Sequence, residues 1–152
     1  MTTLTDFLER IEQAEQRFRS PEMSAQQWGD VIAWLEQSHQ RFFDEERSPD
    51  GDPWQELSDW TIKKKGHSRK LIETYALMQS MTTSGAEYAI RTVEPTSLEF
   101  GTERPWAESH QYGTDRIPQR EFAGIPADGL VEVVDIVADA AVEMLLRELE
   151  GL

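Results

Sequence analysis

LEFGTERPWAESHQYGTDRIPQREFAG, residues 98–124, runs from a strand through a helical turn to an extended return. Leu98 and Phe100 alternate with Ser97 and Glu99, the pattern of a half-buried strand. Gly101 directly after them predicts a tight turn. Trp106–Tyr112 reads as a packed aromatic helical turn. Gly113 follows it, in the place where a helix end favours a left-handed residue. Ile117-Pro118-Gln119-Arg120-Glu121-Phe122 then leads back toward the sheet, with Phe122 a candidate for a third strand.

Upstream of this stretch, Tyr88, Ile90 and Thr92 alternate with Glu87, Ala89 and Arg91, and Pro95 ends the run. The short connection to Leu98 predicts an antiparallel hairpin. Leu71–Met81 is apolar at helical intervals and predicts a helix over at least Thr74–Met81, followed by a turn at Thr82-Thr83-Ser84-Gly85. Trp54, Leu57 and Trp60 recur every three residues, as a helical turn or an extended cover laid on the core. Ser48–Pro53 is turn chemistry. Asp50 and Asp52 lack the remaining ligands of a calcium loop.

Two helices precede that turn. The first is expected from Thr3 or Thr5 to Arg19, where Ser20-Pro21 stops it. The second runs from Ser24, a good N-cap, to Glu45, with Trp28, Val31, Ile32, Leu35 and Phe42 on one face and His39 beside it. Downstream, Pro126-Ala127-Asp128 opens a long last helix with Asp128 as N-cap. Its acids Glu132, Asp135, Asp139 and Glu143 fall three or four apart, as a solvated face or as a negative surface in an assembly. The element order implies an α+β fold: a small antiparallel sheet packed against helices, with an N-terminal helical hairpin in residues 1–47 and an α+β core in 48–152, in one continuous domain.

Composition narrows the function. The chain has 152 residues, no cysteine, 38% hydrophobic residues and a net charge of −14. The apolar share is low for a globular domain, which predicts a small core and apolar surface buried between subunits. Without cysteine there are no disulfides and no thiolate chemistry, which fits a reducing cytoplasm. The apolar run at 131–146 is interrupted by four acids and does not span a membrane. So acidic a chain repels phosphate backbones, so no sequence-specific nucleic acid is expected. Residues 61–70 stand apart, with five bases and no acid. Lys63, Lys64, Lys65 and Arg69 make a solvated face or a docking patch for an acidic partner.

Chemistry is hard to find. His39, His67 and His110 have no metal-ligand spacing, and no metal or cofactor is expected. Ser109 and His110 are neighbours and point apart. His110 paired with Glu108 or Asp115 would be the single general-base candidate. Gly101 and Gly113 do not form a phosphate loop.

Several motifs in order carry a family resemblance. Phe43, Pro49-Asp50-Gly51, Trp54, Leu57, Thr61 and Lys64 or Lys65 come first. The apolar segment at Leu71–Met81 is next. Phe100-Gly101-Thr102, Trp106-Ala107, His110-Gln111-Tyr112-Gly113 and Ile117–Phe122 complete the set. Together they resemble the phage virion morphogenesis family, which includes tail completion proteins of Mu-like contractile-tailed bacteriophages. The resemblance implies a structural protein and no catalytic residues. It implies a role at the head-proximal end of the tail, as terminator or head–tail joining protein. It also implies a ring of copies, hexameric by analogy with related tail-end proteins. The tail tube and the neck or connector proteins would be partners, with assembly in the host cytoplasm and residence in the virion.

This chain departs from the family pattern in places. Tyr75 stands where glycine is usual, which implies a more regular segment here. Trp106 and Tyr112 replace other aromatics, and the basic loop after Gly113 is reduced to Arg116. The residues expected to make assembly contacts are Lys63, Lys64, Lys65, Arg69, Trp106, His110, Gln111, Tyr112, Arg116, Arg120 and Phe122. The alternative is a non-catalytic adaptor using the N-terminal helical hairpin and the basic patch at 63–70.

Overall fold

A computed structural model describes residues 21–126 and 129–150, with Glu9, Glu12 and Gln13 besides. The expected first helix and the expected cap at Asp128 lie outside the described residues. The fold is α+β, as the element order implies. Helix α1 is Ala25–Glu45, α2 Asp59–Lys65, α3 Ala76–Thr82, α4 Ala107–Gln111 and α5 Leu130–Glu150. Strands β1, Ala89–Glu94, and β2, Ser97–Thr102, pair antiparallel with Ala89 opposite Thr102 and Glu94 opposite Ser97.

Helix α1 begins where expected because Ser24 closes a reciprocal cap. Its Oγ accepts from the Gln27 N–H at 3.2 Å, and Gln27 Oε1 accepts from the Ser24 N–H at 2.8 Å. It ends at Glu46, whose φ of 55° is left-handed. That unusual backbone for a non-glycine residue is held from several sides. The Glu46 carboxylate accepts from Lys70 Nζ and from the Lys70 N–H, each at 2.7 Å, and its carbonyl accepts from the Trp54 N–H.

Two cores lie along α1. Its last turns carry Phe42 and Phe43 into a cluster with Trp54, Ile72, Leu77 and Phe122. Its first turns carry Trp28, Val31 and Leu35 into a second cluster with Met23 and, from α5, Ala140. Phe100 of β2 packs on both. Arg91 fixes the hairpin at this junction. Its guanidinium carbon sits 3.8 Å above the Phe100 ring, its Nε pairs with Glu36 of α1 at 3.1 Å, and it donates to the Ser80 carbonyl of α3.

The structure corrects four local expectations. Gly101 lies within β2, opposite Ile90, so it makes no turn. The sheet of the described residues has two strands, and Phe122 enters the core from irregular backbone. Trp60 does not cover the core; it opens α2 and is 70% exposed. Tyr75 does not regularise its segment. It takes the left-handed backbone itself, at φ 59°, and α3 starts only after it. Residues 59–65 also form a helix where a basic segment alone was read. Ser58 caps it, and Lys63–Lys65 sit in its last turn, where the helix dipole favours cations.

His39 ties the two cores and carries a pH dependence. It is 2% exposed, with ring centroids 5.2 Å from Phe42 and 5.1 Å from Phe100. Nδ1 donates to the Leu35 carbonyl at 2.7 Å, which leaves Nε2 to accept from the Gly124 N–H at 3.4 Å. Both roles belong to the neutral ring. Burial pushes its pKa down from 6.5 to about 4; the Leu35 hydrogen bond opposes this and the Arg91 charge adds to it. The pKa is lower folded than unfolded, so this contribution is complete above pH 6.5 and is lost as pH falls toward 4. Urea unfolding across this window should lose about 3 kcal/mol through His39, and His39→Gln should flatten that part of the profile. Tyr75→Gly should leave thermal stability unchanged or raise it by up to about 1 kcal/mol, since glycine meets no steric cost at φ 59°. Tyr75→Val, branched at Cβ, should lower it.

Candidate functional site

The stretch 106–124 is irregular apart from the five residues of α4, so side chains hold it where a strand ladder would otherwise do so. Gln111 acts as a two-way clamp. Its Oε1 accepts from the Phe122 N–H at 3.1 Å and the Ala123 N–H at 3.0 Å, and its Nε2 donates to the Ala123 carbonyl at 2.9 Å. These bonds stand in for strand pairing and seat Phe122 in the core. Gly113 supplies the reversal between α4 and the return, at φ 74°. A Cβ there would lie 2.9 Å from the Gln119 backbone nitrogen, so both the backbone and the close approach require glycine.

Arg120 joins this return to residues 54–58. Its Nε donates to the Gln55 carbonyl at 2.8 Å and its Nη2 to the Glu56 carbonyl at 3.2 Å. Trp54 crosses the other way, with Nε1 donating to the Glu121 carbonyl at 2.7 Å. Between the two segments a cleft of about 420 Å³ opens, with Lys65, Glu73, His110, Arg116 and Arg120 on its walls.

The cleft walls carry Lys65, Arg116 and Arg120 against Glu56 and Glu73, and Glu73 acts on Lys65. Burial lowers the pKa of Arg120 and of Lys65, whose charges also face each other. His110 is held below the ordinary imidazole value by burial, then by the Arg120 and Lys65 charges, which favours the neutral ring. Its Nδ1 is buried and has no hydrogen-bond partner among the described residues. Neither Glu108 nor Asp115 bonds to it, so the general-base pairing considered from the sequence is not formed.

Two nearby acids, Glu46 and Glu56, are engaged by Lys70, while Glu73 stays on the cleft wall. Lys70 Nζ pairs with Glu46 at 2.7 Å and with Glu56 at 2.9 Å, and the Glu46 hydrogen bond leads in raising the Lys70 pKa. For Glu46, burial works to raise the pKa, but the Lys70 bonds and charge outweigh it and the net shift is downward.

The expected contact residues divide into two groups. Gln111, Arg120 and Phe122 face inward and build the cleft. Lys63, Lys64, Arg69, Tyr112 and Arg116 are exposed, with Trp106 about half so, and of these Arg116 and Trp106 line the cleft. Arg69 is also tied back, donating to the Phe43 carbonyl at 3.1 Å. Lys65 donates to the Arg69 carbonyl at 2.9 Å and lines the wall with His110. Trp60 was missed as an exposed aromatic beside the lysines of α2. Its ring lies 5.3 Å from Lys64 Nζ, an i, i+4 pair that the sequence offers once α2 is recognised as a helix.

Among the described residues no group of histidines and acids is arranged to hold a metal ion. No helix of the described residues is long and apolar enough to cross a membrane.

Comparison with known proteins bears on what this cleft serves. A family model described as the phage virion morphogenesis family matches residues 2–142. The chain is similar to Mu-like prophage FluMu G protein 1 of Haemophilus influenzae. They are 29% identical over 114 residues, which cover 70% of this chain and 72% of that protein. No solved structure matches.

Gln111→Ala would leave two N–H groups and a carbonyl without their partner. It should destabilise the fold by roughly 2–4 kcal/mol in denaturant unfolding. Arg120→Lys should also destabilise, because an ammonium does not span two successive carbonyls as the planar fork does.

Proposed function

We propose that this chain, which belongs to the phage virion morphogenesis family, completes the head-proximal end of a phage tail as a ring of identical copies, six by analogy with related tail-end proteins. The observation that carries the reading is the family match from residue 2 to 142, which contains the whole cleft-building stretch 98–124.

A tail end needs a component with one surface that fits the last ring of the tube and another that refuses a further ring. A cyclic assembly supplies both through side contacts between unlike patches, which leave two different end faces. The tail tube and the neck or connector proteins are the partners on those faces. Assembly takes place in the host cytoplasm, and the protein remains in the virion. The net charge of −14 suits a ring through which DNA passes, since acidic walls do not hold a phosphate backbone. Exposed Trp60 beside Lys63 and Lys64 also suits a second reading, an adaptor that grips a single acidic partner.

Deletion of the gene, with electron microscopy of the particles, tests the reading. Overlong tails identify a terminator. Tails of normal length unattached to heads identify a joining protein. Normal infectious particles would sink both and favour the adaptor.

A further inference from the structure

We infer that the exposed face of α5 in one copy docks on the basic, aromatic surface of α2 and the adjoining cleft in the next. This rests on the ring reading above and names the contact that builds the ring. Three observations converge on a second copy as the occupant.

The first is the makeup of α5. Ile136, Val137 and Ala140 turn toward α1. Glu132, Asp135, Asp139 and Glu143 occupy a second side at spacings of three or four. Leu130, Val131, Val134, Val142 and Leu145 are all exposed and form a third side at 3.6-residue periodicity. A single helix therefore presents an aliphatic stripe next to an acidic one, and contiguous apolar surface of this kind marks an interaction site.

The second is the match in chemistry. The chain carries 29 acids and 15 bases, yet residues 61–70 hold five bases and no acid. With Lys70 engaged by Glu46 and Glu56, the exposed Lys63, Lys64 and Arg116 form no ion pair among the described residues. Trp60 is exposed with its ring 5.3 Å from Lys64 Nζ, and Trp106 is exposed and shares the cleft wall with Arg116. Cations interleaved with aromatics complement acids beside aliphatics. The adjoining cleft adds the cations Arg116, Lys65 and Arg120 and the unpartnered His110 Nδ1, set against the acids Glu56 and Glu73.

The third is placement. Helix α5 lies against the first half of α1, with the Gly129 Cα side at Trp34 and Glu143 reaching Gln27 at 3.5 Å. The basic surface lies beyond the other end, where Arg69 bonds to Phe43 and Lys70 to Glu46. Two complementary patches on different parts of one surface make a heterologous contact, which propagates from copy to copy and forms a ring where the rotation between neighbours closes.

A charge exchange tests the inference by analytical ultracentrifugation of the full chain. One variant carries Lys63→Glu, Lys64→Glu and Arg116→Glu; the other carries Glu132→Lys, Asp135→Lys and Asp139→Lys. All six positions are exposed, so the folds should be retained, with circular dichroism melting as the control. The wild type should assemble, more weakly as salt rises. Each variant alone should need at least a tenfold higher concentration, and an equimolar mixture should recover assembly because every contact then pairs opposite charges. Variants that assemble like the wild type would overturn this contact and leave the ring reading standing. A wild type that stays monomeric throughout would overturn both.

The chain has no cysteine, so one more arm separates a rival occupant. Phe7→Cys and Val134→Cys in one chain, treated with a short bis-maleimide, should give no efficient internal link. A monomer-sized linked product would assign the α5 stripe to the chain's own N-terminal segment and overturn the proposal.

Discussion

Two strands of six residues make too little sheet to bury a core, and such a hairpin is marginal by itself. The fold answers this by using α1 as the surface on which other elements condense. One half of the helix meets the segments around Trp54, Ile72 and Phe122, and the other half meets α5. The hairpin lies at the junction, with Phe100 touching both clusters and Arg91 bonding to α1 and α3 while it covers Phe100. His39 sits beneath the same ring. Loss of this junction would separate two small cores, neither of which has much apolar area to spare.

The missing third strand also shapes the site. A return segment without a ladder leaves its backbone groups to be satisfied by side chains, and buried groups left unsatisfied are costly. Gln111 and Arg120 meet that demand, one for residues 122 and 123 and the other for 55 and 56. Their bonds hold two irregular segments at a fixed separation. The cleft is the space between them, and it brings Arg120 close to Lys65 and His110 while Glu46 turns toward Lys70.

Much of the framework was legible in the chain because it depends on local chemistry. Ser24 with Gln27 marks the start of α1, the alternation around Ile90 and Phe100 marks the hairpin, and Gly113 marks the end of α4. What stayed hidden depends on distant partners. Tyr75 enters the left-handed region despite its Cβ, and nothing within its own segment announces that. The helix at 59–65 was masked by three consecutive lysines, although Ser58 and Gly66 bracket it as cap and stop. Gly101 reads as a turn only until its pairing with Ile90 is known. Phe122 reads as a strand residue because the Gln111 clamp imitates strand pairing with a side chain. In the site, residue types were visible but not their direction. Arg120 and Arg116 look alike in sequence, yet one is bound to backbone carbonyls and the other is exposed.

The charge distribution gives these surfaces a consistent logic. A net charge of −14 makes copies repel at long range and keeps them soluble, yet that repulsion is screened beyond roughly 8 Å at physiological ionic strength. At closer range the local arrangement decides. Most pairs of approaching faces would then be acid against acid, and those contacts are disfavoured. The orientation that brings residues 61–70 and Arg116 against an acidic helix is relieved of that penalty. An acidic chain with a single basic region is therefore selective about how it meets itself, and the selectivity comes as much from the many wrong faces that repel as from the one that attracts. For the proposed ring this matters more than raw affinity, because closure requires every copy to meet its neighbour in the same orientation.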